Sequence, residues 1–371
     1  MKLPVFGVEE WLNQHEKKAV HNIAESSILS LSLAELFELT QTDPEAFYQT
    51  LHHKQLDYGW IEGSSEFKKA VAALYQNQET DNILQTNGAT GANFLVIYAL
   101  ISQGDHVIAH YPSYQQLYDI PASLGAEVDY WHTKESLNWL PDLEELKTLI
   151  RPNTKLITIN NANNPTGAFM DRAYLETLVA IAKAHDIYIL SDEVYHSFAS
   201  DRLIAIADLY DKGISVNSMS KTFSIPGIRV GWLAASQSIC QQLVDYRDYT
   251  MICAGVFDDM VATLALTHVD AILARNRHIV ATNLAILDQW VQQEEKASYR
   301  KPPLVSTAFV KLAIDIPVED FALSLLNDYQ TLVVPGSRFQ QPQHVRIGYC
   351  CQKDHLEAGL RALSKLLNNI H

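Results

Sequence analysis

The sequence predicts an α/β protein in which a mostly parallel sheet is flanked by helices and is followed by a smaller α+β region. The first observation is an alternation, between Ile83 and Leu190, of short apolar segments with helical patterns of about 10–15 residues. The second is a change of pattern after Ser236, where helices come first and short strands return only from Ser306. The 371 residues, of which 47% are hydrophobic, leave room for two or three domains of roughly 150 residues each.

The predicted elements before the alternating part are short. Ser32-Leu33-Ala34-Glu35 is a capping box, in which the serine and glutamate side chains satisfy free backbone N–H groups and open a helix that ends near Leu39. The other predicted elements are an amphipathic helix over 8–20, an extended serine-rich segment over 23–31, and a helix through Phe67, Val71 and Leu74.

The alternating part predicts strands over 83–86, 106–109, 128–131, 156–159 and 187–190, separated by helices over 93–101, 115–124, 141–150 and 172–185. Because helices join these strands, we expect them to pair in parallel and to be covered on both faces. The later elements are strands on both sides of Lys221, a helix over 270–293, a strand over 306–314, a helix over 318–329, strands over 332–337 and 344–348, and a helix over 357–367. The predicted division is a large domain over 45–265 and a small domain made of 1–44 with 266–371.

Composition excludes several classes of partner. Asp and Glu number 43 and Lys and Arg 28, which gives a net charge of −15, whereas nucleic-acid phosphates need a basic face. No apolar run approaches the roughly 18 residues of a membrane span, and no signal peptide is recognisable, so we expect a cytoplasmic protein without a membrane partner. The cysteines lack metal-binding spacing, so we expect reduced thiols and no metal site; they are Cys240, Cys253, Cys350 and Cys351.

One lysine is distinguished by its neighbours. Lys221 lies between two apolar segments, with Ser218 three residues before it and Arg229 eight residues after it. This spacing predicts a loop between two strands, where catalytic groups tend to lie. The amine of a lysine can form a Schiff base, and the hydroxyls and the guanidinium can hold a phosphate group. A Ser-x-x-Lys pair also occurs in penicillin-binding serine enzymes, but the partner motifs of those enzymes do not occur in this sequence.

Other polar residues fall where predicted strands end or helices begin. The turn Asn87-Gly88-Ala89-Thr90-Gly91 leads into a helix, whose first N–H groups lack partners and attract phosphate. Asn164, in Asn-Asn-Pro-Thr-Gly, follows one predicted strand, and Asp192 with Tyr195 follows the next. Ligands of parallel sheets bind at this edge. Each of these residues also has a plainer explanation, as a turn residue.

Together these motifs resemble the class I and II aminotransferases, the fold-type I enzymes that depend on pyridoxal 5′-phosphate (PLP). The resemblance spans Tyr58 to Arg346, and its strength lies in the order and spacing of the motifs. It implies that Lys221 holds PLP covalently and that Asp192 keeps the ring nitrogen of PLP protonated, which the coenzyme needs to accept electrons.

The resemblance also implies roles for the remaining residues. Tyr195 and Asn164 would bond the phenolic oxygen of PLP, Tyr114 would stack on its ring, and Arg346 would bind the substrate carboxylate together with Asn164. The phosphate would be held by the backbone of Ala89 and Thr90, by Ser218 and Arg229, and by Tyr58 of a neighbouring subunit. A packed aromatic turn is the plainer explanation for Tyr58 and Tyr114, and a surface arginine is the plainer explanation for Arg346.

The activity implied is transfer of an amino group between an amino acid and a 2-oxo acid by a homodimer, with Lys221, Asp192 and Tyr195 in catalysis. The same fold supports elimination, replacement or cyclisation. The opening Phe6-Gly7-Val8-Glu9-Glu10-Trp11-Leu12 is similar to that of capreomycidine synthase-like members of the family, which close a ring on their substrate. A non-catalytic PLP-binding sensor is the remaining alternative. We identify no second arginine for a side-chain carboxylate, which argues against a dicarboxylic substrate.

Overall fold

A computed structural model describes residues 2–200 and 203–370, so the outermost positions of the predicted small domain, 1 and 371, lie outside the described residues. The helices are α1 (Gly7–His15), α2 (Leu33–Thr40), α3 (Pro44–His52), α4 (Ser65–Ala72), α5 (Gly88–Leu100), α6 (Gln116–Ser123), α7 (Leu143–Leu149), α8 (Arg172–Ala184), α9 (Gln237–Arg247), α10 (Val256–Thr267), α11 (Val269–Gln293), α12 (Val318–Tyr329) and α13 (Lys353–Asn369).

The strands form three sheets within the described part of the chain. They are β1 (His21–Asn22), β2 (Ile83–Thr86), β3 (His106–Tyr111), β4 (Glu127–Lys134), β5 (Leu140–Pro141), β6 (Thr154–Asn160), β7 (Tyr188–Asp192), β8 (Gly213–Ser218), β9 (Gly231–Ala234), β10 (Ala297–Tyr299), β11 (Ala308–Leu312), β12 (Thr331–Leu332), β13 (Val334–Pro335) and β14 (His344–Ile347).

The largest sheet has eight strands in the order β2-β9-β8-β7-β6-β3-β4-β5. Its central strands β8, β7, β6, β3 and β4 pair in parallel, so the predicted α/β class with a mostly parallel sheet is confirmed. The sequence did not predict that β9 is antiparallel to both β2 and β8. The connection from Met219 to Val230 holds only a short 3-10 helix, Pro226–Ile228, and a return without a crossover helix reverses the strand direction.

Helices cover both faces of this sheet, as expected for parallel strands that are connected by helices. On one face, α5, α6 and α9 pack Leu95, Leu117 and Leu243 against a cluster that includes Val107 of β3. On the other face, α7 and α8 pack their side chains against Ile108, the next residue of the same strand. Each fully buried Leu or Ile side chain contributes about 1.5–3 kcal/mol to the stability of the fold.

A second sheet, antiparallel and in the order β10-β11-β14-β13, packs with α11, α12 and α13. The N-terminal segment shares its core. Trp11 is fully buried there and donates from Nε1 to the carbonyl of Val333 (2.9 Å), and β1 pairs in parallel with β12. The contact is tight, since the N–H of Gly348 donates to the carbonyl of Ile23 (2.9 Å) and a Cβ on Gly348 would collide with the Glu25 backbone. The division at 45–265 stays a prediction.

Several element boundaries differ from those predicted. Helix α1 ends at His15 and gives way to a short 3-10 helix, Glu16–Lys18, instead of continuing to Val20. Helix α5 begins at Gly88 and not at Asn93, because its first turn has no apolar face that would reveal it in the sequence. Helix α3 was not predicted because it buries no side chain, although Pro44 in its first turn and the capping carboxylate of Asp43 are start signals.

Residues 2–200 and 203–370 contain neither a candidate membrane span nor a candidate metal cluster. None of the helices there has the length and apolar composition needed to cross a bilayer. No group of three or more His, Cys, Asp or Glu side chains there is arranged to hold a metal ion. The four cysteines are free thiols, as the sequence predicts.

Candidate active site

A cavity of about 590 Å³ opens at the carboxyl ends of β6, β7 and β8. Every predicted site residue except Tyr58 lines it, although these residues come from distant parts of the sequence. They are Ala89, Thr90, Tyr114, Asn164, Asp192, Tyr195, Ser218, Lys221, Arg229 and Arg346.

Lys221 lies on the short connection between β8 and β9, as predicted. Its ammonium Nζ donates to Ser26 Oγ (2.9 Å), and the hydroxyl of Tyr195 donates to the same oxygen (2.8 Å). The loop is held by backbone hydrogen bonds, and Asn276 of α11 donates to the carbonyl of Thr222 (2.7 Å). Sequence reasoning did not assign Ser26 to the site, because nothing local shows that it lies beside a lysine 195 positions away.

An anion seat forms where α5 begins. Its N-cap, Asn87, makes no side-chain cap, so the first N–H groups of the helix stay available to a ligand. The guanidinium of Arg229 lies beside this turn, since a Cβ on Gly88 would be only 2.8 Å from Arg229 Nη2. Gly88 also has a φ of +69°, a conformation that favours glycine. The same guanidinium donates to Ser220 Oγ (3.3 Å).

Asp192 ends β7 and is only 2% exposed. Its carboxylate accepts from Asn93 Nδ2 (2.7 Å) and from the backbone N–H of Val194 (3.3 Å). Burial raises the pKa of Asp192 to about 6, against the lowering effects of these hydrogen bonds and of the Lys221 charge. A buried carboxylate without an ion pair to a described residue is matched to a cationic ligand. Sequence reasoning missed Asn93, although an asparagine in the apolar helix α5 was a usable signal.

Arg346, on β14, is 2% exposed and faces the cavity from the second sheet. Its Nη1 donates to Asn164 Oδ1 (2.9 Å) and its Nη2 to the carbonyl of Ala24 (2.8 Å), which leaves Nε without a partner among the described residues. Burial lowers the pKa of Arg346, but a guanidinium stays charged in proteins. The ring of Tyr114 packs against that of Phe6, with centroids 5.1 Å apart.

Tyr58 is separate from this cavity and is 81% exposed. It lines a second cavity of about 670 Å³ together with Gly59, Trp60 and Asp259. That cavity contains neither Lys221 nor the anion seat, so its greater volume does not make it the chemical centre. The role of Tyr58 toward a neighbouring subunit stays a prediction.

The residues of the smaller cavity fit PLP. They combine an amine at Lys221, an anion seat at the start of α5, an aromatic ring at Tyr114, and a buried carboxylate, Asp192, that has no ion-pair partner among the described residues. Lys221 would hold the aldehyde carbon, the seat would hold the phosphate, and Asp192 would face the ring nitrogen. When bound, PLP supplies an electron-poor ring that stabilises negative charge at the α-carbon of a substrate.

Comparisons with known proteins identify the family of this chain. The family model described as "Aminotransferase class I and II" matches residues 33–363. Capreomycidine synthase of Streptomyces vinaceus is 30% identical, with 98% of this chain and 94% of the relative covered. A solved PLP-dependent aminotransferase of Streptococcus suis 89-1591 is 60% identical, has a TM-score of 0.98, and covers 100% of this chain and 99% of its own. The PLP-dependent cyclase OrfR is 26% identical, has a TM-score of 0.88, and covers 100% of this chain and 98% of its own.

The family match extends over most of the chain and includes the cavity residues from Ala89 to Arg346. The predicted family resemblance, the predicted fold type and the predicted cofactor are thereby confirmed. The chain therefore belongs to the class I and II aminotransferase family, has the fold-type I architecture, and is an enzyme that depends on pyridoxal 5′-phosphate.

Proposed function

We propose that this protein is an aminotransferase that moves an amino group between an amino acid and a 2-oxo acid. The observation that carries the proposal is that Lys221 and the buried Arg346 line one cavity. A lysine that can exchange protons with the α-carbon and a guanidinium that can hold the α-carboxylate are the two groups that the reaction of a free amino acid needs. The 60% identical aminotransferase structure supports the same activity.

Arg346 orients the substrate in this proposal. A planar guanidinium binds a carboxylate through two parallel hydrogen bonds, which fix the rotation of the amino acid as well as its position. Asn164 already accepts from Nη1, so the amide holds the fork in place before substrate arrives. The Cα–H bond is thereby aimed at the reacting side of the cavity, which supplies part of the rate enhancement by orientation.

Lys221 moves the proton. Lys221 would hold PLP through Nζ, and as a free amine that Nζ would take the proton from the substrate's Cα and deliver it to the coenzyme. Ser26 Oγ lies 2.9 Å from Nζ and 2.8 Å from the Tyr195 hydroxyl, so one oxygen positions both groups. Asp192 supplies the fixed negative charge opposite a protonated ring nitrogen.

The N-terminal segment covers the reacting groups. Phe6, Val8 and Leu12 of this segment line the cavity, and their apolar side chains exclude water from it. Exclusion of water strengthens every electrostatic interaction in the cavity and protects reactive species from side reactions.

The active unit in this proposal is a homodimer in which Tyr58 completes the phosphate site of the partner. The segment around Tyr58 is unusually exposed for its composition, with Leu56 at 76% and Trp60 at 62%. Such apolar exposure is typical of an interface.

Co-expression of a Tyr58→Ala chain with a Lys221→Ala chain tests whether Tyr58 completes the active site of the partner. Each variant alone should be weak, whereas the hybrid dimer should recover activity in the site that combines Lys221 of one chain with Tyr58 of the other. Co-expressed chains that are no more active than either variant alone would contradict a contribution of Tyr58 to the partner's site.

Elimination, replacement or cyclisation is the second candidate, and the similarity to capreomycidine synthase and to OrfR favours it. A non-catalytic PLP-binding sensor is a remote third candidate. Incubation of the PLP-loaded protein with single amino acids discriminates among them. Aminotransfer predicts stoichiometric pyridoxamine phosphate, and turnover only when a 2-oxo acid is added. Ammonia or a modified amino acid released without a 2-oxo acid would replace the first candidate by the second, and no reaction with any amino acid would leave the third.

A further inference from the structure

The part of the cavity lined by the N-terminal segment carries acidic side chains to which the proposed mechanism gives no role. Glu9, Glu16 and Glu25, all from the N-terminal segment, line the same cavity as Arg346. The cations of the cavity already have assignments, because Lys221 serves the coenzyme, Arg229 its phosphate, and Arg346 the substrate carboxylate. The space left for the side chain of a substrate is therefore bounded by negative charge.

Glu9 is the acidic residue whose position the structure defines best. It lies in the first turn of α1, is half-buried, and is close enough for its charge to raise the pKa of both Tyr114 and Arg346. Within the described residues it makes no hydrogen bond and no ion pair, whereas its neighbour Glu10 binds Arg338 Nη1 at 2.7 Å. A half-buried carboxylate that lines a cavity without a partner is free to pair with a cationic ligand.

The side chain of Arg346 independently indicates that a ligand binds in this cavity. It is almost fully buried, and its Nε has no partner among the described residues. One cavity thus holds an unsatisfied cationic group on β14 and an unsatisfied carboxylate on α1. An amino acid with a positively charged side chain carries the two complementary charges, a carboxylate at one end and a cation at the other.

We propose that the substrate is an amino acid with a cationic side chain, an ammonium or a guanidinium, and that Glu9 is the residue that selects it. The inference deepens the proposed function, on which it rests for the assumption that an amino acid is bound. Phe6 and Leu12 also line the cavity and provide apolar contact for the methylene stem of such a side chain. A dicarboxylic amino acid is disfavoured, because its second carboxylate would face Glu9. The net charge of −15 also favours the approach of a cation over that of an anion.

The test compares cationic amino acids with neutral ones of similar shape. Lysine, ornithine and arginine would be measured against norleucine, norvaline and citrulline, with loss of the visible band of the holoenzyme as the readout for reaction. Hydrogen bonds to charged groups correspond to about 10–100-fold in kcat/KM, so we expect at least one member of the cationic set to exceed its neutral match by that factor. Comparison of ornithine with arginine then identifies the ammonium or the guanidinium.

Two variants separate recognition by Glu9 from mere packing of α1. Glu9→Gln should remove about 10–100-fold from the cationic substrate and leave its neutral match within about twofold. Glu10→Gln is the matched control, because it breaks the contact of α1 with Arg338 but does not line the cavity. We expect Glu10→Gln to change both substrates by the same factor. A wild-type enzyme without a preference for cations, or a Glu9→Gln enzyme that loses equally on both substrates, would overturn the inference.

A binding measurement separates this inference from the proposed reaction. α-Methylornithine and α-methylnorvaline lack the Cα–H, so neither can be transaminated, and both can still be titrated into the holoenzyme by the shift of its visible band. We expect α-methylornithine to bind about tenfold tighter or more, and Glu9→Gln to abolish the difference. If α-methylornithine binds more tightly in this way but no amino acid yields pyridoxamine phosphate, the proposed function is refuted and the inference stands. Equal binding of the two analogues by an active aminotransferase would refute the inference and keep the function.

Discussion

The guanidinium of Arg346 donates from Nη1 to the side-chain oxygen of Asn164 at 2.9 Å, although the two residues are 182 positions apart. Arg346 lies on the antiparallel sheet and Asn164 follows β6 of the parallel sheet, so this hydrogen bond joins the two sheets inside the cavity. It aligns a carboxylate-binding group with the residues that would hold the coenzyme.

Lys221 carries the coenzyme, and its replacement by alanine should abolish the covalent link while leaving the fold intact. We expect the wild-type protein to be yellow with PLP and to retain the coenzyme after borohydride reduction, with the modification on the Lys221 peptide. Lys212→Ala is a suitable control, because Lys212 forms a surface ion pair with Asp186 at 2.7 Å. A modified peptide elsewhere, or an absent visible band in the wild-type protein, would refute the assignment.

Asp192→Asn should lower kcat by about 10²–10³-fold, which is the usual effect of removing one preorganised electrostatic partner. The coenzyme-free protein should remain folded, because burial already disfavours the charged carboxylate and raises its pKa to about 6. Single-turnover rates and melting curves would separate the two effects, with the exposed Asp186→Asn as control. Normal turnover with every amino acid would show that Asp192 does not face the ring nitrogen.

Arg346→Lys should lower kcat/KM for amino acids by about one to two decades. The charge is retained but the planar fork is lost, and charge-assisted hydrogen bonds are worth roughly 1.5–3 kcal/mol. Simple amines lack a carboxylate, so we expect their slow reaction with the holoenzyme to change little. Equal losses with amines and amino acids would mean that Arg346 is only a structural link between the two sheets.

The buried carboxyl of Glu193 should make stability fall as pH rises. Burial raises its pKa from the ordinary 4.5 to about 8, against hydrogen bonds from the Ile206 N–H and Ser215 Oγ. Between these values the folded state binds a proton that the unfolded state has lost, so stability declines from about pH 4.5 to about pH 8 and levels off above.

Glu193→Gln removes this dependence while keeping the acceptor oxygen. We expect its melting temperature to gain several degrees on that of the wild type as the pH rises from about 5 to about 8. Glu176→Gln on the surface of α8, which loses only an i,i+4 ion pair with Arg172, should run parallel to the wild type. A constant difference between Glu193→Gln and the wild type at every pH would contradict the buried titration.

Residues whose own side chains suit the chemistry, and which lie in recognisable motifs, were predictable from the sequence. The motifs around Lys221, Asp192 and Asn164 predicted the cavity residues because the order of strands brings successive carboxyl ends together. Ser26 was not predicted, since it acquires its role from Lys221, which is 195 positions away along the chain. The reversed direction of β9 was also missed, because pairing direction depends on a connection whose length alone does not show its path.

The N-terminal segment between Ile23 and Ile28 has a consequence for how the enzyme is made. It lies against Gly348 and Arg346, and Ser26 also contacts Lys221, so its neighbours come from the middle and the end of the chain. A ribosome delivers the N-terminus first and releases the C-terminus last. The catalytic cavity is therefore completed only late in synthesis, after Arg346 and Gly348 have been added. Nascent chains stalled before Arg346 should already contain the residues that would hold the coenzyme but should lack the guanidinium that would bind the substrate carboxylate.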